Sequence, residues 1–171
     1  MNKIRFAALT AACGLALTAG AAVAATDSTT TTFSVTITIN ESCEFSGAAA
    51  DDVDFGDVDR STAATATGNL YVTCTDGTPY TIALDNGSHA SGSAITEYSR
   101  QMALGTVYVP YGLYTDSGYS ELWGDGTNGS VAESEGTGDQ QTFPVYAAVT
   151  AASTDVAAGT YTDTVTATIA Y

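Results

Sequence analysis

Apolar and polar residues alternate most regularly in two segments, residues 29–40 and residues 160–171. In the first segment, the positions that share one face are all apolar: Phe33, Val35, Ile37 and Ile39. A period of two residues is that of a β-strand with one buried face. We therefore expect residues 29–40 to form a strand. Its backbone donors and acceptors need a partner strand, either in this molecule or in another one.

The second segment repeats the pattern, with threonine at most of its even-numbered positions. Its odd-numbered positions share the other, mostly apolar face: Tyr161, Asp163, Val165, Ala167, Ile169 and Tyr171. Shorter runs predict further strands at residues 53–58, 69–74, 80–84, 107–114 and 143–149. Between them lie Gly-rich turns such as Asn86-Gly87 and Asp125-Gly126, which accept a positive φ. Short strands at this spacing, without a convincing helix after residue 24, predict an all-β sandwich.

The first 24 residues have the pattern of a secretory signal peptide. Lys3 and Arg5 precede an apolar run at residues 6–21, and the small residues Ala22-Val23-Ala24 follow it. We expect the mature chain to begin near Ala25 and to be exported. The apolar run is shorter than the roughly 20 residues that a membrane span needs, so we expect no direct membrane insertion.

Charge excludes several classes of partner. Removing the two positive charges of the signal peptide takes the formal net charge from −15 to −17 and leaves no lysine. Nucleic acid and anionic membrane surfaces repel such a field, so neither is an expected partner. The hydrophobic content of 44% indicates a packed chain rather than a disordered one. We expect one domain after the signal peptide.

Catalytic and metal-binding motifs are weak. A single histidine, His89, and the lack of a nucleophile paired with a base predict no catalytic site, so we do not expect an enzyme. The acidic stretch at residues 51–59 and the turn at residues 123–129 both suggest calcium loops. Neither meets the EF-hand spacing, so a structural role is favoured for both. We expect no metal and no cofactor.

Two cysteines, Cys43 and Cys74, remain after the signal peptide. In an exported chain an even pair is most simply one disulfide, with free thiols or a metal ligand pair as the alternative. A set of aromatic residues could stack on sugar rings, although core or hairpin packing is the favoured interpretation. The set consists of Tyr108, Tyr111, Tyr114, Tyr119 and Trp123.

Five stretches, taken in order, resemble the spore coat protein U domain family, the pilin subunits of archaic chaperone–usher pili. They are an alternating strand ending in Cys at residues 33–43, VDFG at 53–56, LYVTCTDGTPYTIALDNG at 70–87, YGLYTDSGYSELWGDGT at 111–127 and FPVYAAVTAASTDVAAGTYTDTVTATIAY at 143–171. The resemblance covers nearly the whole mature chain.

The resemblance implies an incomplete immunoglobulin-like β-sandwich that is completed by donor-strand exchange. Residues 25–40 would be the donor extension of a domain at residues 41–171, and Cys43 and Cys74 match the family's disulfide. The donor would insert four apolar plugs into the next copy: Phe33, Val35, Ile37 and Ile39. The C-terminal strand would border the acceptor groove and pair with a chaperone through Val165, Ala167, Ile169 and Tyr171.

The implied partners are a periplasmic chaperone, an outer-membrane usher and other copies of the chain in a head-to-tail polymer. The implied location is a cell-surface pilus reached through the periplasm, where the polymer would support adhesion and biofilm formation. Two alternatives stay open. One is a tip adhesin or glycan-binding module. The other is a self-contained secreted β-domain in which residues 29–39 fold back into their own sheet.

Overall fold

The computed structural model describes residues 27–171, so the predicted signal peptide lies outside the described residues. No helix among residues 27–171 is long and apolar enough to cross a membrane. The described chain is built from β-strands, turns and irregular segments. The eight strands are β1 (Cys43–Ala50), β2 (Ala64–Cys74), β3 (Pro79–Leu84), β4 (Arg100–Leu104), β5 (Val107–Tyr114), β6 (Ala132–Glu135), β7 (Gln140–Val149) and β8 (Ala167–Ala170).

The strands form two antiparallel sheets. One sheet has five strands in the order β1-β2-β7-β5-β4, and the other has three in the order β6-β3-β8. The longest ladder joins β2 to β7, from the pair Ala64 and Val149 to the pair Thr73 and Gln140. Because β2 and β7 are far apart in the chain, this ladder fixes the centre of the larger sheet through non-local pairing.

The core lies between the two sheets and follows the period of two. Alternate residues of β2, β3, β5 and β7 are buried in one hydrophobic cluster. Val72, Ile82 and Ala147 have no exposed surface, and they come from three different strands. Side chains from both sheets therefore close one core, as expected when two half-buried sheets pack face to face.

Trp123 closes the core beside the turn that follows it. Its side chain is 1% exposed, and its indole N–H donates to the carbonyl oxygen of Ile82 at 2.8 Å. Tyr111 and Tyr114 are also buried, whereas Tyr108 is 44% exposed. The aromatic set identified in the sequence is thus divided between the core and the surface, as the packing interpretation favours.

Four of the predicted strands are confirmed. Residues 69–74 lie within β2, residues 80–84 within β3, residues 107–114 form β5 and residues 143–149 lie within β7. The turn glycines also behave as expected, because Gly87 and Gly126 both have a positive φ. These strands carry the clearest local alternation, and each contributes to the core.

The predicted strand at residues 53–58 is wrong. Gly56 has a φ of 66°, and its N–H donates to the side chain of Asp54 at 2.8 Å, so a local turn interrupts the extended chain. The predicted C-terminal strand at residues 160–170 is shorter than expected, since only β8 is a continuous strand there. Thr162 adds one isolated bridge, to Ala103.

Residues 29–40 form no strand in the described structure, although their pattern predicts one. Part of this segment belongs to a separate unit, Met1–Ile37, and the eight strands belong to the unit Thr38–Tyr171. Within residues 27–37, the side chains of Phe33, Val35 and Ile37 are more than 80% exposed.

Three strands were missed because their sequences alternate weakly. β1 contains Gly47 and Ala49, both with a positive φ, and its pairing with β2 shifts register between Phe45 and Ala50. β6 has the sequence AESE and offers no apolar residue larger than alanine. β4 begins with Arg100, a residue that favours solvent in most proteins but is fully buried here.

A disulfide joins Cys43, the first residue of β1, to Cys74, the last residue of β2. The two residues also face each other in the β1–β2 ladder. The bond spans 31 residues, including the segment at residues 51–63 that belongs to no strand. The disulfide expected from the cysteine count is therefore present, and it holds the edge strand β1 to the sheet.

We predict that replacing both cysteines, Cys43→Ser with Cys74→Ser, lowers the free energy of unfolding by about 3–4 kcal/mol, because the unfolded chain regains the entropy of an open loop. Urea unfolding followed by Trp123 fluorescence measures the change. The parent chain, treated with a reductant that opens the disulfide, is the matched control. An unchanged unfolding midpoint in the double variant would contradict the prediction.

Candidate functional site: an open edge beside a cavity

The C-terminal segment passes from one sheet to the other. Thr162 bridges Ala103 in β4, with Ala103 N–H donating to the Thr162 carbonyl at 2.8 Å and Thr162 N–H donating back at 3.2 Å. Five residues later the chain enters β8, which pairs with β3. Residues 162–170 therefore connect the edge of the larger sheet to the edge of the smaller one.

Backbone hydrogen bonds along this segment use the even-numbered residues. The Thr164 carbonyl accepts from Ser88 N–H at 3.0 Å, and the Thr166 carbonyl accepts from Asp85 N–H at 3.0 Å. In an antiparallel pair, successive residues direct their backbone groups to opposite edges. The odd-numbered residues therefore direct theirs to the outer edge. In the part of the chain that the structure describes, β8 ends its sheet and no strand pairs with that edge.

The side chains of the same odd-numbered residues point inward. Tyr161, Val165, Ala167 and Ile169 are half-buried and pack against the core, whereas the threonines between them are exposed. Three of the four residues expected to border an acceptor groove thus lie together along the open edge. The fourth, Tyr171, lies beyond β8 and is 61% exposed.

A cavity of about 570 Å³ lies at the beginning of this segment. Residues 53–60 line one side of it and residues 154–161 line another, while Met102, Val109 and Val149 contribute apolar surface from the larger sheet. A cavity of this size exceeds the volume of any single side chain. It leaves apolar surface open beside the unpaired edge.

Two half-buried side chains from residues 53–60, Val53 and Phe55, also pack against the core. The segment carries no strand, so it adds apolar side chains to the cavity without closing the sheet. Arg60 forms an ion pair with Asp155 at 2.6 Å, with both side chains largely exposed. An exposed pair of this kind contributes little to stability.

The amino-acid sequence of the chain matches a known family. The model of the spore coat protein U domain matches residues 29–168. The chain belongs to the spore coat protein U domain family. The match begins at the alternating N-terminal segment and ends inside β8, so it includes residues 29–40 and residues 160–168 of the C-terminal segment.

Among solved structures, this spore coat protein U domain is similar to a chain in the crystal structure of the CsuC–CsuE chaperone–tip adhesion subunit pre-assembly complex of archaic chaperone–usher Csu pili from Acinetobacter baumannii. The two share 22% sequence identity with a TM-score of 0.57. The match covers 78% of this chain and 40% of that chain. It confirms the predicted all-β, immunoglobulin-like fold. None of the curated protein sequences compared with the chain is a match.

Buried polar groups of the spore coat protein U domain lie behind the open edge. Burial, together with the hydrogen bond to Asp163, raises the pKa of the Tyr111 hydroxyl far above its ordinary value, so the hydroxyl stays a donor at neutral pH. Burial also lowers the pKa of the Arg100 guanidinium, and Tyr111 and Asp85 act in the opposite direction. Sequence patterns did not single out Arg100. Asp163 carried one signal, since it is the only charged residue in an otherwise apolar row.

The two suggested calcium loops use their carboxylates within the protein. Asp51 accepts hydrogen bonds from the side chains of Asn69 and Tyr71, and Asp125 accepts from the N–H groups of its own turn. Across residues 27–171, no group of three or more His, Cys, Asp or Glu residues is placed to hold a metal ion. Asp51 and Asp125 therefore each have a structural role.

We predict that amide hydrogen exchange distinguishes the two edges of the C-terminal segment. The N–H groups of Thr162 and Thr166 exchange slowly because each donates to a partner, the Ala103 carbonyl and the Asp85 side chain. The N–H groups of Asp163 and Val165 exchange quickly because they face the open edge. Exchange followed by NMR on the monomeric chain measures both. Equal protection at odd and even positions would contradict an open edge.

Proposed function

We propose that this chain is a structural pilus subunit that polymerises by donating residues 25–40 to the open edge of the next copy. A periplasmic chaperone occupies that edge first, and an outer-membrane usher exchanges it for the donor. The polymer forms on the cell surface and supports adhesion and biofilm formation. The observation that carries the proposal is the combination of an unpaired strand edge with a cavity beside it to which Met102, Val109 and Val149 contribute apolar surface.

The spacing of the two segments supports this pairing. The open edge offers backbone groups at Asp163, Val165, Ala167 and Ile169, one residue in two. The donor carries its four apolar side chains at the same interval: Phe33, Val35, Ile37 and Ile39. When a strand is added to a sheet edge, backbone hydrogen bonds provide affinity, and alternate side chains in pockets provide specificity. The period of two residues therefore suits both the backbone hydrogen bonds and the insertion of alternate side chains.

Exposure of the donor side chains supports transfer to another molecule. Phe33, Val35 and Ile37 are 82–86% exposed, and Ile39 is 71% exposed. Burying three or four such side chains gives a gross gain of roughly 5–12 kcal/mol before the cost of ordering the segment. A neighbouring copy supplies apolar surface for this burial.

The geometry of strand donation sets the form of the polymer. The donor and the acceptor edge are different surfaces of the same chain, so each contact is head-to-tail and leaves a free donor and a free edge at the two ends. A contact of this kind gives an open filament unless its rotation closes a ring. We therefore propose a linear fibre of identical subunits.

A chaperone partner is supported by the similar solved structure, whose complex contains a chaperone with a tip adhesion subunit. This chain spans two fifths of the matched chain, so the assignment of that partner is part of the proposal. An exposed strand edge with apolar surface beside it is an aggregation hazard. A protein that covers the edge before assembly removes that hazard.

We predict that Ile37→Asp abolishes polymerisation, because a carboxylate would have to be buried in the apolar cavity or groove without a partner. Thr36→Asp adds the same charge on the opposite face of the donor and is the matched control. Gel electrophoresis without boiling measures the ladder of polymers secreted by cells that express the chain with its chaperone and usher. Equal ladders for the two variants would contradict strand donation.

Capture by the chaperone gives a second measurement on the same variants. Because the chaperone covers the C-terminal edge, we expect Ile37→Asp to be purified with the chaperone in the same yield as the parent chain. If capture were lost along with polymerisation, residue 37 would belong to the folded body rather than to a donor segment.

A further inference from the structure

Four residues of the C-terminal segment, 163–166, lie between the Thr162 bridge and β8 and belong to neither sheet. The elements on either side hold them weakly. Thr162 provides a single bridge, and β8 has only four residues with the sequence ATIA. A strand slipped by one residue would expose its apolar face, so the alternation itself excludes that slip, but a strand slipped by two residues buries the same face. An interaction other than the alternation must therefore exclude the slip by two.

Asp163 makes a dense set of polar contacts at this place. Its carboxylate accepts from the N–H groups of Ser88 at 3.0 Å and His89 at 3.2 Å, and from the Tyr111 hydroxyl at 2.7 Å. The His89 ring nitrogen Nδ1 lies 3.0 Å from the same carboxylate. The side chain of Asp163 is only 3% exposed. A buried carboxylate is thus satisfied only where these donors converge.

The next residues are held by the same loop. Ser88 Oγ donates to the Thr164 carbonyl at 3.2 Å, in addition to the backbone bond between these residues. The Thr166 N–H donates to the Asp85 side chain at 2.9 Å. Burial alone would raise the pKa of Asp85, but hydrogen bonds from Thr166 and Gly87 lower it below its ordinary value. The Asp85 carboxylate is therefore ionised at neutral pH and accepts both bonds.

Arg100 anchors this loop to the larger sheet. Its guanidinium is fully buried and donates to the Asp85 carbonyl from Nε at 2.8 Å and from Nη2 at 2.6 Å. Nη2 also donates to the Leu84 carbonyl at 3.3 Å. The loop that holds the C-terminal segment is thus itself fixed to β4 by a buried cation.

We propose that Asp163 is the positioning residue of a polar clamp, formed with Asp85, Ser88, His89 and Tyr111, that sets the register of the acceptor edge. The inference rests on the proposed function, because it concerns how the donor meets this edge. Asp163 is the only charged residue in the row of inward side chains. In a register slipped by two residues, the same face would stay inward and the Asp163 carboxylate would be buried without these donors, which is a large energetic cost. The clamp therefore excludes the wrong registers.

Gly87 is required for the clamp to close. Its φ is 76°, and a Cβ added there would run into the carboxylate of Asp163. Gly77 has the same φ of 76° but no atom within 4 Å of the corresponding Cβ position. Gly77→Ala therefore imposes the same backbone strain as Gly87→Ala without touching the clamp, and it is the matched control.

Disulfide cross-linking of the full chain measures the register in which the donor pairs with the acceptor edge. Val35→Cys in the donor is combined in turn with Val165→Cys, Thr166→Cys and Ala167→Cys, and polymers are examined under non-reducing conditions after boiling. In the parent and in Gly77→Ala, we expect covalent ladders at one inward position, 165 or 167, and none at 166. Gly87→Ala and Asp163→Val should lower the inward ladder about tenfold or more, because each loses charge-assisted hydrogen bonds.

Asp163→Val separates positioning from general stability. Valine is apolar and suits a half-buried strand, so it improves the alternation that would otherwise set the register. Asp163→Asn keeps one acceptor oxygen and should give an intermediate pattern. If Asp163→Val and Gly87→Ala retain the cross-linking pattern of the parent, the clamp does not set the register and the inference is overturned.

A parent chain that forms neither ladder nor filament would overturn the proposed function rather than the clamp. In that case, amide hydrogen exchange on the monomer tests the clamp. The Thr166 N–H should be protected in the parent and in Gly77→Ala and should exchange faster in Gly87→Ala. Equal exchange in all three chains would overturn the clamp, whatever the state of assembly.

Discussion

Backbone groups at the outer edge of the C-terminal segment have no partner strand in the described chain, and this constraint governs the rest of the structure. Such groups need hydrogen bonds when apolar side chains next to them are buried. A strand that completes the edge must therefore bring donors and acceptors together with apolar side chains at every second position. Residues 29–40 carry apolar side chains at alternate positions, and Met102, Val109 and Val149 contribute apolar surface to the cavity at the beginning of the C-terminal segment.

An open edge requires a body that does not collapse over it. The core between the sheets, the Trp123 bond to β3 and the disulfide of β1 keep the sandwich closed everywhere else. These interactions are mostly apolar or covalent, and they stabilise the fold without specifying the last strand. The polar contacts around Asp163 instead specify the position of the last strand. Apolar burial excludes a slip by one residue, and the directional hydrogen bonds also distinguish registers that differ by two residues and bury the same face.

Charged residues are scarce in the two terminal segments. The mature chain is strongly acidic, yet Asp163 is the only charged residue in the apolar row of the C-terminal segment, and none interrupts residues 28–40. Inserting a charged side chain into an apolar groove costs several kcal/mol, so strands that are exchanged between molecules favour threonine and serine on their outer face. Several acidic residues lie instead in turns, where Asp116 and Asp125 accept hydrogen bonds from neighbouring N–H groups.

Local alternation by itself determined the all-β class and four of the eight strands, because a period of two residues reflects burial on one face of a strand. The cysteine count also indicated the disulfide. Only the tertiary structure decided that β4 is a strand, since Arg100 is buried by contacts with a distant loop. It likewise placed Asp163 among donors from residues 88, 89 and 111. Contacts between residues far apart in the chain leave no periodic signal, so the cavity and the clamp could not be predicted.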